Sequence, residues 1–277
     1  MAVIGGILGA VNGQSTVRNW SINYTAALAG FSGSNMLGGM GYLAGNKDWS
    51  GSFSAYGWIP GLVPGSSFTF TGSIDGTKGV TGTAIVDQVV LVVDIEGGRV
   101  IEYSVTFSAN GALTRGAAVA VDATDPTARS SIGSKVELAV PAAEPSWVEL
   151  ADVRTITLTF SATNPSYVDS SGGGQTKRVS GPFDAGLAIS VYSDEDLTPL
   201  PEPNTVMLVR VYVGDTEYWE LSACRFADIT NVVVDRETGA VVGGTLNAKF
   251  SYYYEIAGEF TAGAIIDPDE ATYWPPA

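Results

Sequence analysis

Seven residues, VVDIEGG at 92–98, recur as VVDRETG at 233–239, and the chain around them recurs as well. A duplication constrains a fold strongly, because both copies must follow one backbone path and keep the same faces buried; a slip of one residue along a strand would turn every side chain over. At an offset of 136, Val17 and Arg18 fall on Val153 and Arg154, Ala26 on Ala162, Gly45 on Gly181, Asp48 on Asp184 and Tyr56 on Tyr192. The alternating apolar residues Trp20, Ile22 and Tyr24 fall on Ile156, Leu158 and Phe160, so the in/out phase is kept. At an offset of 141, Asp87 meets Asp228, and Val92, Val93, Asp94, Glu96 and Gly98 meet Val233, Val234, Asp235, Glu237 and Gly239. The five added residues are expected in the Pro-rich run DEDLTPLPEPN at 194–204.

Each heptapeptide is followed by a period-2 run, Ile101, Tyr103, Val105 and Phe107 in one copy and Leu246, Ala248, Phe250 and Tyr252 in the other. The heptapeptides therefore predict β-hairpin turns, with Asp94 and Gly98, and likewise Asp235 and Gly239, at the bend; glycine supplies the positive φ that a short bulged loop requires. Val, Thr, Ile, Tyr and Phe recur in short runs among 34 glycines, which predicts an all-β chain, and the repeat makes it two tandem copies of one β-domain. The expected division is a first domain over 1–118, a linker over 119–131 and a second domain over 132–277. Residues 27–47 and 163–180 are expected as long loops between the first two strands of each copy.

Composition removes several chemistries. The chain has no histidine, which takes away the commonest general base and metal ligand. Its single cysteine, Cys224, allows no intramolecular disulfide and is expected in the core. A net charge of −15 repels polyanions at long range, and the charge is uneven: residues 1–118 carry −1 and 119–277 carry −14. The apolar opening MAVIGGILGAVNG lacks a basic leader and is too short and Gly-rich to span a bilayer, so no membrane role is expected.

Candidate sites are few. SSGGGQTKR places Lys177 and Arg178 after glycines, but not at phosphate-loop spacing, so a contact loop is expected. The acidic groups Asp194, Glu195 and Asp196, and Asp267, Asp269 and Glu270, do not follow the spacing of a calcium loop and are expected as solvated charge. No nucleophile has a base beside it in the sequence, so neither catalysis nor a cofactor or metal is expected. A carboxylate-pair hydrolase stays open because such pairs meet only in the fold, but with no aromatics assigned to a substrate groove it is the weakest of the readings.

NKDWSGSFSAYG at 46–57 and GTAIVDQVVLVVDIEGGRVIEYSVTFSANGALT at 82–114 resemble the major tail tube protein of long, non-contractile bacteriophage tails, and GSKVELAVPAAEPSWVELADVRTITLTF at 133–160 resembles the opening of that family. The resemblance implies two tandem β-sandwich or barrel domains with few short helices, whose sheets join laterally into rings, and a loop after the first strand that reaches the next ring of a stack. It implies a virion protein assembled in the host cytoplasm, contacting tape measure and tail terminator or tip proteins, with DNA passing through without specific binding. Two copies per chain would make a trimer with pseudo-sixfold symmetry; a hexamer with the second copy outside is the rival. On this basis the stacking contacts are expected at Phe31, Met36, Met40, Tyr42, Lys47, Tyr167, Gln175, Lys177 and Arg178. The alternative is a tandem β-sandwich adhesin or receptor-binding virion protein.

Overall fold

The computed structural model describes residues 10–12, 16–33, 35, 39–119, 128–169, 173–192, 201–233 and 243–274. These residues are all-β, without an α-helix. The first copy supplies β1 (Ala10–Val11), β2 (Val17–Phe31), β3 (Gly41–Ala55), β4 (Ser67–Ser73), β5 (Lys78–Asp94) and β6 (Glu102–Ala118). The second supplies β7 (Val136–Ala139), β8 (Val148–Glu149), β9 (Val153–Ala162), β10 (Ser166–Tyr167), β11 (Lys177–Arg178), β12 (Phe183–Tyr192), β13 (Val206–Tyr212), β14 (Tyr218–Val233) and β15 (Gly243–Phe250). A hairpin, β16 (Tyr253–Ile256) and β17 (Glu259–Ala262), and two short strands, β18 (Ile265–Ile266) and β19 (Thr272–Trp274), complete the chain.

Among the described residues fifteen strands form one sheet, whose main path runs β2-β3-β6-β5-β9-β12-β15-β14-β13-β7-β8. The same neighbour order occurs twice: β2-β3-β6-β5-β4 in the first copy and β9-β12-β15-β14-β13 in the second. Register is repeated along with order. Trp20 faces Phe53, Ile22 faces Gly51 and Tyr24 faces Trp49; at an offset of 136, Ile156 faces Ile189, Leu158 faces Leu187 and Phe160 faces Ala185. The lead-ins agree too, since Val11 opposite Gly72 on β4 corresponds to Val136 opposite Val211 on β13.

The ladders correct how the two sequences superpose. Only three of the five added residues lie between Tyr192 and Val206, because β4 and β13 already correspond at an offset of 139, Phe68 facing Ala84 as Met207 faces Cys224. The other two are taken up inside β14 as bulges, one between the partners of Met207 and Val209 and one between Thr230 and Val233. Between those bulges the offset is 140: Val89 faces Val105 as Ile229 faces Leu246. Asp228 is thus the counterpart of Gln88, not of Asp87, while Val92 and Val233 correspond as the heptapeptides indicate. Both copies also bulge at one equivalent place, Asp87 and Ala227.

Packing explains how two divergent sequences keep one path. Gly51 faces Phe107 across β3 and β6, and the equivalent pair on β12 and β15 is Leu187 and Ala248. Large and small residues have changed places while the pair still fills the core, as close packing requires. A Cβ at Gly51 would lie 2.5 Å from Phe107 Cζ, so glycine is obligatory opposite that ring.

Both copies share one hydrophobic core, and aromatic rings cross the boundary between them. Trp58 of the first copy packs edge-on against Trp219, with centroids 4.8 Å apart, and against Tyr273, while Phe160 touches Trp219 and Tyr273. The segment 27–47, expected as a loop, is mostly strand: β2 runs on to Phe31 and β3 begins at Gly41, and they form a hairpin arm. Leu28, Phe31, Met40, Tyr42 and Leu43 are exposed on this arm.

Candidate assembly surfaces

β5 is shared along its length. Its first half pairs with β4, and its second half pairs antiparallel with β9, the first matched strand of the second copy, from Gln88 opposite Ser161 to Asp94 opposite Thr155. One face of this joint is apolar by alternation. Val89, Leu91 and Val93 meet Phe160, Leu158 and Ile156, all fully buried. The joint is therefore continuous core as well as continuous backbone hydrogen bonding.

The turn VVDIEGG closes one end of the joint. Gly98 sits at φ +58°, and the Asp94 carboxylate accepts the Gly97 amide at 2.9 Å. The Ile95 and Glu96 amides both donate to the Arg154 carbonyl, at 2.9 and 3.1 Å. The Arg154 guanidinium donates twice to Glu96, at 2.9 and 2.7 Å, while lying over the Tyr192 ring. Hydrogen bonds from the Tyr192 hydroxyl and then from Arg154 hold the Glu96 carboxyl below its ordinary value. The linker's far end is tied to the same turn, through Ile101 N–H to the Arg129 carbonyl and Ser131 N–H to the Arg99 carbonyl.

At the other end, the second copy's segment after β9 folds over the first copy. The Asn164 amide donates to the Val86 carbonyl and to Asp87, whose carboxylate also accepts from Ser108. The Lys47 amide donates to the Gly174 carbonyl and the Thr176 amide to the Lys47 carbonyl. Arg178 grips Asp48 through both terminal nitrogens, at 3.1 and 2.8 Å, and the Ala109 carbonyl at 2.7 Å.

The expected stacking residues divide accordingly. Phe31, Met40 and Tyr42 are exposed on the arm, and Met36 lies outside the described residues. Lys47, Gln175 and Arg178 are engaged within the chain, Lys47 and Gln175 as a parallel bridge. Tyr167 and Lys177 face each other in the small β10-β11 hairpin, with Lys177 paired to Asp169, so neither cation of SSGGGQTKR is left for a phosphate. Asp235 and Gly239 lie outside the described residues, as do Asp194, Glu195 and Asp196. The Asp267 carboxylate is occupied by the amides of Asp269 and Ala271, each at 3.0 Å. Among the described residues no cluster of carboxylates and thiols is placed to hold a metal ion. Burial pushes the Cys224 thiol up to about 12, so it is an inert core group.

Residues that make the joint, Glu96, Asp87, Arg154 and Asn164, escape sequence reasoning as a group. The recurrence of Arg18 at Arg154 and of Glu96 at Glu237 was the available signal.

Two surfaces are the counterparts of this joint, and among the described residues both stand open. Among the described residues β2, the equivalent of β9, pairs only with β3. β14, the equivalent of β5, pairs with β13 only up to Arg225, and beyond Phe226 one side of it has no strand partner among the described residues. Even the lead-up is repeated: Gly65 and Ser66 bond to Val86 as Asn204 and Thr205 bond to Phe226. Compared with known proteins, the chain matches no family model and no curated protein.

Proposed function

We propose that this chain is a structural, self-assembling virion protein of the tail-tube kind: copies join edge to edge into a ring, and rings stack into a tube through which DNA passes. One observation carries the reading. Two equivalent units inside the chain are joined head to tail through β5 and β9, and among the described residues the counterparts of both joined strands are left open at β14 and β2. A head-to-tail contact that repeats either closes into a ring or runs on as a filament. Exposed strand edges are a liability in a protein that stays alone and a means of assembly in one that does not.

Other features support it. The apolar arm of β2 and β3 projects five large exposed side chains, a surface suited to contact with the next ring. Net charge of −15 suits a conduit that must pass DNA without holding it, since like charges repel over a screening length of about 8 Å at physiological salt. Six equivalent units would be supplied by three chains, and tape measure and terminator proteins are the partners such a tube implies. Native mass measurement with negative-stain microscopy tests the reading. Rings of three chains, or hollow tubes, are expected; a chain that remains a 28.8 kDa monomer at high concentration would contradict it.

A further inference from the structure

The internal joint is a worked instance of how one unit accepts the next, and its register is known residue by residue. Gln88, Val89, Val90 and Val92 of β5 face Ser161, Phe160, Thr159 and Thr157 of β9. The ladders onto β6 and β15 make Asp228, Ile229, Thr230 and Val233 the counterparts of the four β5 residues. The ladders onto β3 and β12 make Thr25, Tyr24, Asn23 and Ser21 the counterparts of the four β9 residues.

Burial marks the same residues as incomplete. Phe160 and Val89 are fully buried where they meet, whereas Tyr24 is 37% exposed and Ile229 is only partly covered. Both belong to the face that is apolar in the internal joint. Among the described residues neither edge has a strand partner along this length, and the bulge that precedes the joint at Asp87 is repeated at Ala227, so β14 bends where β5 bends.

We infer that the contact between chains repeats the contact within the chain: the open half of β14 pairs antiparallel with β2 of a neighbouring copy, Asp228 opposite Thr25, Ile229 opposite Tyr24, Thr230 opposite Asn23 and Val233 opposite Ser21. The inference rests on the self-assembly reading and adds to it the partner strands, their direction and their register. Tyr24 then fills the place that Phe160 fills inside the chain, against Ile229 in the place of Val89. Asn23 and Thr230 lie on the other face, away from that apolar contact. Because β2 and half of β14 are open among the described residues, at opposite ends of the repeated path, each copy binds two neighbours in a fixed polarity.

Cysteine pairs read the register directly. Facing residues of an antiparallel pair have Cα atoms about 4.5–5.5 Å apart, within disulfide range. The buried Cys224 is the only native thiol. A chain carrying Asn23→Cys is mixed with one carrying Thr230→Cys and oxidised under assembly conditions; covalent dimers are expected, at least tenfold more than from Asn23→Cys mixed with Asp228→Cys, which is two residues out of register. A single chain carrying both Asn23→Cys and Thr230→Cys is expected to give a ladder of multimers ending at the ring. Rings or tubes that form without dimers from the first mixture overturn the register and leave the assembly reading standing. A disulfide confined to the doubly substituted monomer overturns the inference, since the two edges would then meet within one chain. Dimers in the stated register from a protein that never builds rings or tubes uphold the joint and contradict the tube, and the absence of both dimers and assemblies overturns both.

Discussion

The strand Val153–Ala162 and its counterpart at 17–26 begin their units in the same way, yet one is interior and the other is an edge. In the interior strand Ile156, Leu158 and Phe160 are fully buried between β5 and β12. In the edge strand Trp20 and Ile22 are partly covered and Tyr24 is exposed. The sequences differ little in pattern, so the difference lies in what stands beside them. A strand whose apolar face is only half covered in the lone chain has room for a neighbour, and in the proposed assembly that neighbour stands where its twin's does.

The comparison breaks most visibly under truncation. Phe160→Ala empties a buried site within the joint and is expected to cost about 3–5 kcal/mol in urea unfolding. Tyr24→Ala, at the equivalent position on the open edge, is expected to cost about 0.5 kcal/mol in the unassembled chain, while abolishing assembly. Equal costs in the lone chain would mean that the edge is covered by something else.

A second difference concerns Tyr103, buried against Trp58 where the copies meet; its counterpart on β15, opposite Val191, is Gly244. Burial pushes the Tyr103 phenol up to about 12 from an ordinary value of 10.0. A raised folded value means the contribution is fully present below pH 10 and is lost as pH rises toward 12, amounting to about 3 kcal/mol for a shift of two units. Unfolding free energies at pH 9 and pH 11.5 check this. The wild-type chain is expected to lose more stability over that interval than Tyr103→Phe, and parallel losses would contradict it.

The smallest effect sharpens the comparison at its polar end. Arg18 lies over Tyr56 and pairs with Glu102 of its own copy, whereas Arg154 lies over Tyr192 and pairs with Glu96 of the other. Arg154→Ala removes an exposed ion pair, so a slight lowering of the urea midpoint is expected, shrinking further in 1 M salt. A loss as large as that of Phe160→Ala would mean that the turn's ionic cap, and not its apolar face, holds the copies together.

Much of this fold could be read before any coordinates. Alternation in Trp20, Ile22 and Tyr24, and its return in Ile156, Leu158 and Phe160, carries the strand path and the buried face, because period 2 is a physical property of the pleat. The pairing of β5 with β9 could not be read, since alternation says which face is apolar but not which edge meets which. Nor could the arm: AALAGF and GYLAGN at its base lack a polar face, so they resemble loop as much as strand. The match of Asp87 to Asp228 failed for a related reason, because a bulge shifts the ladder without leaving a gap that residue identities reveal. Nor could the internal contacts of three expected stacking residues be read: Lys47 and Gln175 bridge through their backbones, and Arg178 pairs with Asp48.

Hydrogen exchange offers the most direct test of the account, because it reads the backbone of both edges at once. Amides at 21–25 and 228–233 that point away from β3 and β15 are expected to exchange fast in the dissociated chain and at least a hundredfold more slowly after assembly, reaching the protection that the pairing of 88–94 with 155–161 is expected to give in the lone chain. Assemblies in which those two edges exchange as fast as before, with protection arising elsewhere, would contradict the claim that the chain joins its neighbours as its two halves are joined to each other.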